Sequence, residues 1–113
     1  MRSPITSHVL DVALGRPAKG VPVTLEVQQP NGFVALACGE TNDDGRIADW
    51  MGEQTLSPGR YRVSFDTESY LRATGQTVFY PLVQVVFDLA SPGGHYHIPL
   101  LLSPFGYSTY RGS

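Results

Sequence analysis

Turn-forming clusters divide this chain into short pieces, and that spacing constrains the fold more than any other feature. Gly15–Gly20, Gln29-Pro30-Asn31-Gly32, Asn42-Asp43-Asp44-Gly45, Ser57-Pro58-Gly59, Ser91-Pro92-Gly93-Gly94 and Ser103-Pro104-Phe105-Gly106 all carry residues that accept turn backbone cheaply. The segments between them alternate. Val21, Val23, Leu25 and Val27 share one face against Pro22, Thr24, Glu26 and Gln28. Tyr61, Val63 and Phe65 oppose Arg60, Arg62, Ser64 and Asp66. Val83, Val85, Phe87 and Leu89 form a third such face, and Tyr96, Ile98, Leu100 and Leu102 a fourth. Period 2 over runs this short is the signature of half-buried strands. With Ile5–Ala13, Phe33–Gly39, Arg46–Asp49 and a last strand from Gly106, about eight strands with a turn every 8–12 residues predict an all-β antiparallel sandwich. One helix is expected: residues 68–74 tolerate it, Asp66 or Thr67 can cap its start, and Gly75 can end it.

The 113 residues are read as one domain, 1–113. Eight basic and ten acidic residues are spread without blocks and leave a net charge of −2, which offers nothing to nucleic acid or to an anionic membrane. No apolar run approaches the ~18 residues of a membrane span. The N-terminus carries no basic-plus-apolar leader. The single cysteine, Cys38, lies in the apolar run Phe33–Cys38, reads as a buried structural thiol, and rules out an intrachain disulfide. A reducing compartment follows, most simply the cytoplasm.

Chemistry concentrates at the C-terminal end. His95 and His97 occupy the face of the strand His95–Ser103 opposite its apolar residues. Two imidazoles at i, i+2 lie close enough to share a proton network or a ligand. With His8, the third histidine of the chain, they fit either acid–base chemistry or a zinc site, and the residues alone do not choose between them. Arg46 follows an acidic turn and reads by itself as a solvated partner of Asp43, Asp44 or Asp49. The last residues, Tyr107-Ser108-Thr109-Tyr110-Arg111-Gly112-Ser113, bring two phenols, a guanidinium and hydroxyls up to the terminal carboxylate. Alternation sets Ser108 and Tyr110 on one face and Arg111 on the other. That makes Tyr110 the more direct substrate contact and leaves Arg111 free to anchor the tail. Nucleophile elbow, phosphate loop, dinucleotide fingerprint and Cys-x-x-Cys patterns are all missing.

Three separated blocks resemble the transthyretin-related 5-hydroxyisourate hydrolases. They are Ile5-Thr6-Ser7-His8-Val9-Leu10-Asp11 with Gly15-Arg16-Pro17-Ala18, then Thr41-Asn42-Asp43-Asp44-Gly45-Arg46, and finally His95–Pro104 with the ending Tyr110-Arg111-Gly112-Ser113. The resemblance implies two four-stranded sheets with the helix on one edge, assembled as a homotetramer around a central channel. It also implies hydrolysis of the lactam ring of 5-hydroxyisourate in urate breakdown, without metal or other cofactor. On this likeness His8, Arg46, His97 and Ser113 are the catalytic residues, and His8, Arg46, Tyr110 and Arg111 bind substrate, in a pocket where subunits meet. His95 accompanies the site without being its catalytic member. Lactam hydrolysis needs an activated water, a stabilised oxyanion and a protonated leaving nitrogen. His8 and His97 would share the proton transfers, and Arg46, with its rigid fork of donors, would hold the oxygen-rich ring or the developing charge. Two other readings remain: a transthyretin-like carrier of small molecules without catalysis, which needs a wide apolar channel, and a structural sandwich module, which needs no convergent polar site.

Overall fold

The computed structural model describes residues 4–47, 50–51, 54–90 and 94–112. Two sheets pack face to face, and alternation decides what lies between them. Strands β3 (Pro22–Gln29), β4 (Gly32–Glu40), β6 (Gly59–Phe65) and β7 (Val83–Leu89) form one sheet in the order β4-β3-β6-β7, antiparallel throughout. Its inner face contributes Val23, Leu25, Val63, Phe65 and Val83, each at most 1% exposed. The other sheet has β1 (Ile5–Asp11), β2 (Arg16–Pro17), β8 (Tyr96–Ser103) and β9 (Gly106–Thr109) in the order β2-β1-β8-β9, with β5 (Arg46–Ile47) also paired to β1. Ile5, Val9, Leu100 and Leu102 fill its inner face. Burying a side chain of this size contributes about 1.5–3 kcal/mol, so these two rows of residues hold the sandwich together.

Three expectations need correction. The second sheet has five strands, not four, because the free edge of β1 is shared by two two-residue strands: β2 pairs at Leu10–Asp11 and β5 at Ser7–His8. β1 and β8 run parallel, whereas alternation had suggested an antiparallel sandwich throughout. Period 2 reports which face a residue takes and carries no information on strand direction. Cys38 is exposed, not buried. It lies opposite Thr24 on the outer face of the edge strand β4, whose apolar Val34 and Leu36 are also exposed. A register shift opposite Leu25 and Glu26 leaves Leu36 outside the pairing.

The helix α1 (Thr67–Ala73) matches its sequence signals. The Asp66 side chain accepts from the Ser69 N–H at 3.2 Å, Gly75 takes φ +71° just past the end, and Glu68 and Arg72 pair at i, i+4. Residues 48–49 of the expected Arg46–Asp49 strand, 91–93 of the turn before β8, and Ser113 lie outside the described residues.

Candidate active site

The outer face of the β1–β8 sheet carries the candidate groups. Ile5, Ser7, Val9 and Asp11 of β1 point inward and are all buried, which turns Thr6, His8 and Leu10 outward. In the parallel register Thr6 stands beside His97 and His8 beside Pro99. In the antiparallel register with β5, His8 faces Arg46 directly. Three stretches distant in sequence thus place His8, Arg46 and His97 on one surface, with His8 between the other two. Directly opposed antiparallel residues have Cβ atoms about 4.5–5.5 Å apart, so imidazole and guanidinium share one site.

Arg46 is held there by its turn. The Asn42 side-chain oxygen accepts from the N–H groups of Asp44 at 2.9 Å and Arg46 at 3.0 Å, and the Gly45 N–H donates to the Asn42 carbonyl at 2.9 Å. Gly45 takes φ +74°, and a Cβ there would collide with the Val9 carbonyl oxygen, so only glycine lets this turn close onto β1. The Val9 N–H completes the docking by donating to the Gly45 carbonyl at 2.7 Å.

Thr6 and Gly112 support the site through contacts to His97 that sequence spacing does not show. The Thr6 hydroxyl, in a residue only 4% exposed, is hydrogen-bonded to His95 Nε2 at 3.1 Å and to His97 Nδ1 at 2.8 Å. The chain end folds back on the same histidine: the Gly112 N–H donates to the His97 carbonyl at 2.8 Å. A Cβ on Gly112 would come within 2.6 Å of His97 Cδ2, so the imidazole lies flush against the glycine. A Thr two residues before His8 on the same face was a readable signal for the first of these. Gly112 belongs to the Tyr110–Ser113 ending that carries the resemblance, but its seat on His97 is set by the fold.

Electrostatics favour a neutral His8. Partial burial, and next the positive charge of Arg46, lower its pKa below the ordinary 6.5, opposed by a hydrogen bond to the Asp44 backbone and by the Asp44 carboxylate. On the inner side of the same strand Asp11 is 1% exposed. Desolvation pushes its carboxyl upward. Donors from Tyr70 Oη (2.6 Å), the Leu14 N–H (2.8 Å) and Gln76 Nε2 (2.9 Å) outweigh that and hold it below the usual carboxylate value. This buried network ties the end of β1 to α1 and thereby fixes the strand that bears His8.

Tyr110 and Arg111 lie at the sandwich edge. With Val85, Phe87, Asp88, Tyr96, Ile98 and Thr109 they line a depression of about 230 Å³ at the open edge of the sandwich, between β7 and β9. The Arg111 guanidinium stacks 4.4 Å from the centre of the Tyr96 ring, on the face of β8 opposite His97. That position anchors the tail. Among the described residues no group of three or more His, Cys, Asp or Glu side chains is arranged to hold a metal.

A model of the HIUase/Transthyretin family matches residues 5–112. The chain belongs to this family. It is 45% identical over 109 residues to the 5-hydroxyisourate hydrolase of Salmonella dublin, covering 96% of this chain and 80% of that protein. Its fold matches 5-hydroxyisourate hydrolase of Klebsiella pneumoniae with a TM-score of 0.85 at 35% identity, over 96% of this chain and 97% of the other. It also matches sea bream transthyretin in complex with thyroxine with a TM-score of 0.89 at 36% identity, over 97% and 95%.

Within the HIUase/Transthyretin family the sandwich is therefore common to a hydrolase and to a thyroxine-binding protein, and cannot by itself separate the two. The discrimination falls to the side chains on the outer face of the β1–β8 sheet. None of the described helices is long and apolar enough to cross a membrane.

Proposed function

We propose that this chain hydrolyses 5-hydroxyisourate, opening its lactam ring to the carboxylate of 2-oxo-4-hydroxy-4-carboxy-5-ureidoimidazoline in urate degradation. The observation that carries the reading is the convergence of His8, Arg46 and His97 on one exposed sheet face, in a chain whose relatives at about 45% identity are named for this hydrolysis. A carrier would need an apolar surface here, whereas two imidazoles and a guanidinium make it polar.

The chemistry divides among these groups. A neutral imidazole accepts a proton at pH 7, so His8 is the base toward the attacking water. Arg46, across from it, stabilises the oxyanion and grips the planar ring through its fork of donors. His97 has Nδ1 engaged by Thr6, which assigns proton donation toward the leaving nitrogen to Nε2. Gly112 is seated on His97, which supports a site role for the tail, and Ser113, next in sequence, takes the catalytic part that the family likeness implies. Tyr110 and Arg111, exposed at the sandwich edge, contribute to substrate binding across a subunit boundary. A homotetramer suits the exposed Val12, Leu14, Leu82 and Phe105, which a partner copy would cover. Residues 1–113 act as one catalytic domain. A cytoplasmic location fits a lone, unpaired cysteine.

The test is the absorbance decay of freshly generated 5-hydroxyisourate with and without the protein. Acceleration is expected, and the variants His8→Asn and His97→Asn, folded by circular dichroism, should lose about 10²–10⁴-fold in rate. Wild-type protein that leaves the spontaneous decay unchanged removes the proposed activity. A folded variant at near wild-type rate removes that histidine from its role. Dialysis against a strong chelator should leave the rate intact; stoichiometric zinc, with activity lost on its removal and regained on its return, overturns the metal-free account.

A further inference from the structure

We propose that Thr6 is a positioning residue that links His95 to His97 as a proton relay, so that His95 supplies the proton that His97 delivers to the leaving nitrogen. The inference rests on the hydrolytic reading above and extends it to two residues which that reading leaves without a role.

The geometry is a three-member chain. Thr6 Oγ1 lies 2.8 Å from His97 Nδ1 and 3.1 Å from His95 Nε2. A hydroxyl has one proton to donate and lone pairs to accept with. Two bare nitrogens cannot both be satisfied by that one proton; a relay runs through the arrangement in which the hydroxyl accepts from one protonated ring nitrogen and donates to the other, bare one. Thr6 is buried and β-branched, so its side chain is held in place while the hydroxyl hydrogen remains free to turn. The hydrogen bond at one imidazole nitrogen sets which tautomer the ring adopts. In the donating-and-accepting arrangement the single hydroxyl makes the tautomers of His95 and His97 interdependent.

That interdependence solves a chemical problem. When Thr6 donates to His97 Nδ1, His97 is the neutral Nε2–H tautomer, correctly placed to donate but a very weak acid by itself. The relay removes the difficulty. As Nε2 gives its proton to the leaving nitrogen, the Thr6 hydroxyl proton passes to Nδ1, and the Nε2 proton of a protonated His95 passes to Thr6 Oγ1. His97 ends neutral with its proton on Nδ1, Thr6 ends as a hydroxyl, and His95 ends neutral. One proton has left the triad and the positive charge of His95 is gone. The acid consumed is an imidazolium, which water then reprotonates, and no imidazolate forms at any stage. The mechanism accounts for a second histidine beside the catalytic one and for a buried hydroxyl placed between them.

The decisive experiment pairs nitrogen-15 NMR of the histidine rings with kinetics of Thr6→Val and Thr6→Ser. In wild type near neutral pH, without substrate, His95 Nε2 and His97 Nδ1 should show opposite protonation. If both are protonated or both bare, the relay is refuted whether or not the protein is a hydrolase, and that readout needs no variant to fold. Thr6→Val keeps the shape and removes the hydroxyl. It should abolish the opposition in the spectra and lower kcat with KM little changed, by roughly the 10- to 100-fold seen when a histidine loses its orienting partner. Thr6→Ser, which restores the hydroxyl, should retain most of the rate. Thr6→Val at wild-type kcat overturns the relay, and Thr6→Ser as impaired as Thr6→Val reduces Thr6 to a packing role. Wild type inactive on 5-hydroxyisourate with the opposition intact would instead strike at the hydrolytic reading and leave the coupling standing.

Discussion

Tyr70→Phe removes one atom from the buried hydrogen-bond network around Asp11 and leaves the packing shape unchanged. Asp11, 1% exposed, would keep the Leu14 N–H at 2.8 Å and Gln76 Nε2 at 2.9 Å but lose the 2.6 Å bond from the phenol. A hydrogen bond to a charged group is worth roughly 1.5–3 kcal/mol, and the orphaned lone pair stays out of water, so a loss in that range is expected at pH 7. For a chain of this length about 1 kcal/mol corresponds to ~4 °C, which places the fall in Tm at roughly 6–12 °C. The pH dependence identifies the cause. Asp11 has its folded pKa below the ordinary 3.8, so it stabilises the fold above 3.8, and that contribution disappears as pH falls through the folded value. The gap between wild type and Tyr70→Phe should therefore close in acid. Burial, and then Asp11, raise the pKa of Tyr70 itself, so wild type gains a loss of stability above pH ~10, as the unfolded tyrosine ionises, that the variant lacks. Thermal melts of both proteins from acid to alkaline pH measure all of this, with activity per folded molecule preserved at pH 7. A Tm at pH 7 indistinguishable from wild type, or a gap that persists unchanged well below pH 3.8, would refute the reasoning.

Four more outcomes follow from the site. The limb of the rate profile set by His8 should lie below pH 6.5, because burial and Arg46 depress its pKa: activity holds above that point and falls as pH drops and the base protonates. In Arg46→Gln, where the second cause is gone, the limb should move up in pH; no movement would remove Arg46 from the electrostatics of His8. Gly112→Ala places a methyl within 2.6 Å of His97 Cδ2 and should cut the turnover far more than the melting temperature, as should deletion of residues 110–113. Truncated protein that is unstable yet fully active per folded molecule would make the tail an edge-strand element instead.

Local patterns carried most of the secondary structure. Alternation located β3, β6, β7 and β8, and the Asp66 cap with Gly75 bounded α1, because each is decided within a few residues by side-chain period or backbone preference. The turn at Asn42–Gly45 was likewise legible, and with it the place of Arg46. Spacing alone could neither pair nor orient the strands. The parallel registry of β1 with β8 and the division of one β1 edge between β2 and β5 depend on which edges meet, a long-range outcome to which period 2 is blind.

The same limit governs the site. The sequence marked His8, His97 and Arg46 as chemically capable, and a likeness of three blocks suggested that they act together; the sheet registers put them on one surface. The apolar run at Cys38 pointed to burial, but burial follows from what covers a strand, and β4 lies at an edge. Asp11 and Thr6 show the reverse. In the sequence they are ordinary polar residues of a strand. The fold makes Asp11 a buried carboxylate with three donors and Thr6 the bridge between two histidines 89 and 91 residues away, since a hydrogen bond is fixed by proximity in space and not along the chain.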